Sequence, residues 1–245
     1  MKIKNNMKKI SFIGMVVVVL LGAFLVSAAN PGGPDTLVFN SNTTKSTPSA
    51  ATINISGGYV ASINLTANIQ DTRWKAFVGK VTGSFTLQDG TGSTIYNWAL
   101  STITGRVYTT RIASALDWGN VNCSNLTFLN QENANMNHLN PNDNLNMTFN
   151  YSTGATHNSF YVGTRNITAN SCPTLNTYVN NASQDTNFEE MALYDGSSAV
   201  YATTIDPNKV GYNGQRYDFQ MIVPEDGSPS FTGATAYYLY VEIGT

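Results

Sequence analysis

Apolar and polar positions alternate with a period of two through most of the chain, the signature of half-buried strands. "TINIS" sets Ile53 and Ile55 on one face, and "YVASINLTANI" does the same with Ile63, Leu65 and Ala67. "VTGSFTLQ" offers Val81, Gly83, Phe85 and Leu87 to one side and Thr82, Ser84 and Thr86 to the other. The final run, "ATAYYLYVEI", alternates Tyr237, Leu239, Val241 and Ile243 against Tyr238, Tyr240 and Glu242. "PDTLVFN", after the flexible Pro31-Gly32-Gly33-Pro34, is another short strand-like segment. Turn residues punctuate these runs. Asp89-Gly90-Thr91-Gly92 joins "SFTLQ" to "STIYNWAL", and Asp195-Gly196-Ser197-Ser198 joins "EEMALY" to "AVYATTI". Asp-Gly supplies the positive φ that tight hairpins need. The likeness of the two hairpins reads as convergence on turn chemistry rather than as a duplicated unit.

No segment beyond the first thirty residues sustains a helical period. "NLTFLNQENANMN" is too polar and Asn-rich for more than a turn or two of helix. Many short strands without helices predict an all-β protein, an antiparallel β-sandwich with two lobes or a related barrel. The Asn-rich stretch around 125–146 is expected to be an exposed excursion from a single domain spanning 30–245.

The first residues break the pattern. Lys2, Lys4, Lys8 and Lys9 lead into an apolar run from Phe12 to Val26, and Ser27-Ala28-Ala29 follows with small residues. This is the layout of a secretory signal, residues 1–29, with cleavage before Asn30. A membrane span needs about 20 apolar residues, and this run is shorter and lacks a basic stop. A retained pilin-type core wants its cleavage site ahead of the apolar run, and a lipoprotein anchor wants a Cys at the cut. Removal takes four of thirteen basic residues and none of fifteen acids, so the formal charge moves from −2 to −6. An acidic chain without a Lys/Arg cluster lacks the footprint of nucleic-acid binding. The charged fraction is only 11%, and Asn, Ser and Thr cover the surface instead, as suits an extracellular protein.

Export changes the meaning of the two cysteines. Cys123 and Cys172 are an even pair in an oxidising compartment and read as a disulfide. Nine sequons, at Asn42, Asn54, Asn64, Asn122, Asn125, Asn146, Asn150, Asn166 and Asn181, become candidate glycosylation sites on the exported side.

The stretch "DTRWKAFVGKVTGSFTLQDGTGSTIYNWAL…GRVY" resembles a group of uncharacterised exported archaeal proteins. Their shared positions fall here on Trp74, Gly79, Val81, Gly83, Phe85, Leu87, Gly92, Tyr96, Trp98, Gly105, Val107 and Tyr108. The chain departs from that pattern at Ala76, where Gly is common, and at Arg106, where an acid is common. The later stretch "NFEEMALYDGSSAVYATTI…GYNGQRYDFQMIVPEDG…YYLYVEI" resembles the same group, and the two together cover roughly half of the mature chain. The resemblance implies an exported, β-rich surface protein and carries no catalytic residues.

Catalytic chemistry is hard to assemble from this sequence. His138 and His157 are the only histidines and read as exposed loop residues, with no G-x-S-x-G elbow to pair with. No H-E-x-x-H or Cys/His cluster suggests zinc. Glu189 and Glu190 are neighbours on a strand and point to opposite faces, so they cannot flank one glycosidic bond. Asp117 with Asp218 is another carboxylate pair to place in space. "NPNDNLN" (Asn140 to Asn146) and "PEDGS" (Pro224 to Ser228) offer the oxygen ligands that Ca²⁺ takes, without EF-hand order; polar turns are the plainer account. Trp74, Trp98 and Trp118 suit either a carbohydrate platform or the core, and core is the plainer account.

The reading is therefore an exported cell-surface structural or interaction protein and not an enzyme, S-layer-associated or filament-forming by strand addition. Its partners would be other surface proteins, copies of itself, or glycans, with no nucleic acid and no lasting membrane span. A carbohydrate-binding module and a secreted acid-residue hydrolase are the alternatives.

Overall fold

The computed structural model describes residues 30–113, 116–149, 155–184 and 186–244. The expected leader, 1–29, and the sequon Asn150 lie outside the described residues. In chain order the elements are β1 (Trp74–Gly79), β2 (Ser84–Gln88), β3 (Thr94–Ala99), β4 (Gly105–Thr110), β5 (Asn122–Cys123), helices α1 (Leu126–Asn135) and α2 (Leu145–Thr148), β6 (Phe160–Val162), β7 (Arg165–Ile167) and β8 (Thr174–Asn176). They continue with β9 (Glu189–Tyr194), β10 (Ala199–Thr204), β11 (Lys209–Val210), β12 (Arg216–Tyr217), β13 (Phe219–Pro224) and β14 (Tyr238–Ile243). The protein is mostly β, and every strand pair is antiparallel.

The central sheet runs β14-β4-β10-β9, and β5 and β8 lie end to end along the far side of β9. Alternation along these strands feeds two cores, one on each face. Tyr108, Met191, Leu193, Val200 and Ala202 point to one side, where Trp118, Phe160, Val162 and Ile167 cover them. Val107, Ala192 and Tyr201 point to the other, against Leu129, Leu145, Phe149, Met221 and Val223. Two-sided burial explains why every residue of β4 is buried. β13 pairs with β1 and lies against β10, where Thr203 Oγ1 donates to Gln220 O at 3.0 Å. Cys123 and Cys172 come to bonding distance, sulfurs 2.02 Å apart, and tie β5 to the approach of β8.

The Asn-rich stretch is neither structureless nor fully exposed. Asn125 caps a ten-residue helix by accepting from Phe128 N at 2.9 Å. Leu129, Glu132, Asn133, Met136 and Leu145 are all buried. Tertiary bonds hold this polar helix: Arg111 forks onto Glu132 at 2.6–3.1 Å, and Asn133 Oδ1 accepts from Leu145 N at 2.8 Å. Propensity alone had no access to those partners.

The opposite correction applies near the start. Residues 33–70 are exposed throughout and contribute no strand, although "PDTLVFN", "TINIS" and "YVASINLTANI" carry the strand pattern. Pro31 is buried and Gly32 exchanges both backbone bonds with Val241 on the outer edge of β14, at 3.2 and 2.8 Å. Pro34 has no N–H to continue that ladder. Alternation makes a segment fit for pairing; it does not supply the partner strand.

Candidate functional site

Both histidines singled out for chemistry are held in structural roles. His138, expected in an exposed loop, is fully buried, edge-on to Trp74 at 5.2 Å, with Nε2 2.6 Å from Glu225 O. His157 is also buried. Its Nε2 accepts from Cys172 N at 3.0 Å and its Nδ1 donates to Asn158 O at 2.8 Å, which fixes a neutral ring. Burial, with the Arg106 charge adding, lowers its pKa below the ordinary value. These burials correct the expectation of exposed histidines: both imidazoles bond to backbone groups distant in sequence and hidden to any local pattern.

Glu189 and Glu190 do face apart. Glu189 approaches Asn158 N at 3.4 Å, whereas Glu190 accepts from Ile222 N at 2.9 Å beneath β13. Burial pushes both carboxyls upward, Glu190 the further of the two. Asp117 and Asp218 occupy separate turns: Asp218 binds Val81 N and Asn208 N, and Asp117 N approaches Asp195 Oδ2.

The two candidate calcium loops are drawn together but hold protein cations. Arg73 pairs with Asp71 and Asp143, and Lys75 reaches Glu225 at 2.6 Å. Asp226 is occupied by Ser228 N at 2.8 Å and by the Ser228 hydroxyl. No group of three or more His, Cys, Asp or Glu able to hold a metal occurs among the described residues.

The tryptophans divide. Trp118 is in the core against Tyr108 and Tyr240, and Trp74 is half-buried with Nε1 donating to Asp143 O at 2.9 Å. Trp98 departs from the expected core position. It stands on the β2–β3 hairpin beside Tyr96, with ring centroids 4.7 Å apart, and is 49% exposed. Cross-strand pairing puts Phe85 opposite Trp98 and Leu87 opposite Tyr96, so four large apolar side chains share one open face. The hairpin turn is closed by Asp89 Oδ1, which accepts from Thr91 N and Ser93 N at 2.9 Å. The positive φ falls on Gly92 rather than Gly90.

Eight sequons are on described residues. Asn42, Asn54, Asn64, Asn122, Asn125, Asn166 and Asn181 are exposed, while Asn146 is half-buried with its Nδ2 donating to Asn130.

The surface that stands out is apolar and unpaired. Ile53, Ile55, Tyr59, Ile63, Leu65 and Ile69 are all exposed, Leu65 at 84% and Ile69 at 90%. Odd positions from 59 to 69 read Tyr, Ala, Ile, Leu, Ala, Ile; Asn64 and its even neighbours from Ser62 to Gln70 are polar. No charged residue falls between Ser46 and Gln70. The chain thus exposes both an uncharged alternating segment without a ladder and a two-stranded ribbon with an open apolar face. Comparison with protein-family models, with curated proteins and with solved structures found no match.

Proposed function

We infer that this chain is an exported cell-surface structural protein that joins its neighbours by strand addition, and that it is not an enzyme. The observation that carries this reading is the 59–69 segment, with a strand's alternation, no charge and no partner strand. Export follows from the leader-like residues 1–29 and agrees with the paired cysteines, the exposed sequons and the resemblance to exported archaeal surface proteins. The central sheet and the β1–β13 ladder that packs against it are read as the layers of a two-lobed β-sandwich. The histidines and the Glu189, Glu190 and Asp218 carboxylates are engaged by backbone groups, which argues against hydrolysis.

Tyr96 and Trp98 favour one rival, a carbohydrate-binding module. Their planes meet at 59°, however, and so offer no common flat platform for a sugar ring.

Electron microscopy and sedimentation of the exported, processed protein test the reading. Ordered polymers are the expected outcome. Strictly monomeric particles at all concentrations would remove it, and glycan binding lost in Trp98→Ala would replace it with the carbohydrate module.

A further inference from the structure

Resting on that reading, we propose that residues 59–69 of one copy add as a third strand to the free edge of β3 in a second copy, joining copies head to tail.

Spacing and chemistry match. The donor presents Ile63, Leu65 and Ile69 at intervals set by the strand period, and the hairpin presents Phe85, Leu87, Tyr96 and Trp98 on one face. Neither segment has a charged side chain on its apolar face, since Asp89 at the turn is the only ionised group from Ser84 to Ala99; Lys45 Nζ, which donates to Asn68 O, is displaced when the donor backbone pairs. A two-stranded ribbon is marginal alone, and a third strand is what stabilises it. At about 60–120 Å² of apolar area per side chain, Ile63, Leu65 and Ile69 beside Tyr96 and Trp98 offer on the order of 400 Å² before the backbone is counted. β3 is the open edge because the contacts to the body come from the β2 side, where Gly83 abuts Ile243 and the Phe85 ring lies against Gly244. Burying the odd face of the donor leaves Asn64, on the even face, pointing outward, so a glycan there would not obstruct pairing.

The partner is a second copy because residues 59–69 form no ladder with the hairpin of their own chain, whose β3 pairs only with β2 among the described residues. The donor ends at Ile69, and only Gln70 to Arg73 separate it from Trp74 at the start of β1. Those four residues reach at most about 14 Å, and they are not free to swing. Arg73 is ion-paired to Asp143, and its carbonyl accepts from Glu225 N at 2.6 Å. The hairpin leaves from the other end of β1, past Gly79, roughly 20 Å away at the strand rise. Donor and acceptor therefore sit at opposite ends of β1. Donor and acceptor are different surfaces, so head-to-tail addition propagates as a chain.

Complementation tests the assignment. Leu65→Asp kills the donor and leaves the hairpin intact; Trp98→Asp kills the acceptor and leaves the donor intact. Both positions are exposed, and near-ultraviolet circular dichroism checks that each variant folds as the wild type does. Each variant alone should sediment as a monomer, and an equimolar mixture should give a species of twice the mass that grows no further. A disulfide between Asn68→Cys in one copy and Asn97→Cys in another should form in assemblies. Wild-type polymers without that mixed dimer would overturn this donor and acceptor while leaving strand addition standing. A wild type monomeric at every concentration would overturn both.

Discussion

The Tyr108 hydroxyl donates to Glu242 Oε2 at 2.7 Å between the neighbouring strands β4 and β14, inside the face of the sheet that Phe160 and Trp118 cover. Gly163 N supplies a second bond to Glu242 Oε1 at 2.9 Å, and Arg106 lies over the Phe160 ring at 4.0 Å. The carboxyl is thus buried with two donors, one from the sheet and one from its cover. Burial still raises its pKa, with the Tyr108 and Gly163 bonds opposing. Tyr108→Phe should cost about 1–3 kcal/mol, the penalty of leaving a buried acceptor unpaired, read as a lower denaturant midpoint with unchanged slope.

Two buried groups give stability opposite pH dependences in the mildly acidic range. His157 is held neutral in the fold, below its ordinary value of 6.5. As pH drops from there, the unfolded chain takes up a proton that the folded one resists, so stability declines until the folded value is passed. Glu190 works in the other direction, because burial raises it well above 4.5. The unfolded carboxyl ionises near 4.5 and the folded one does not, so stability is lost as pH rises from 4.5 through the folded value. Urea midpoints compared between wild type and Glu190→Gln isolate the Glu190 contribution: the wild type should lose stability relative to the variant as pH rises from 4.5. A pH-independent difference between the two would refute the assignment.

The disulfide closes a long loop, with Cys123 and Cys172 separated by 49 positions. In the chain-entropy account, such a loop stabilises by about 4 kcal/mol. The Cys123→Ser, Cys172→Ser double variant should lose that order of stability and unfold at lower denaturant.

Asn125 caps α1 with its Oδ1, so Asn125→Ala should cost about 1 kcal/mol. Glycosylation attaches at the amide nitrogen and leaves that oxygen free to accept. Glycopeptide mass spectrometry of native protein should therefore find Asn125, Asn54 and Asn64 available for modification. Asn146 should be unmodified, because its amide nitrogen is engaged by Asn130.

Much of the sheet was legible in the sequence. The alternation of "ATAYYLYVEI" places Leu239, Val241 and Ile243 on one side of β14 and Tyr240 on the other, as observed. Asp195 and Asp89 mark the turns of the two hairpins, because an Asx side chain closes a turn through local bonds alone. The same turn chemistry did not tell their fates apart. β9–β10 lies at the centre of the sheet, while β2–β3 stands clear of it. That difference depends on what packs from elsewhere in the chain, and no local pattern encodes it.

Periods, turn residues and the even pair of cysteines were determined by the sequence itself, since each acts over a few residues or through a covalent bond. Tertiary structure decided the rest: that His138 and His157 are buried, that an Asn-rich run forms a helix around Glu132, and that "YVASINLTANI" is left without a strand to join. Burial and pairing are properties of contacts between distant segments, and a strand's pattern states what it can bind without stating whether its own chain provides it.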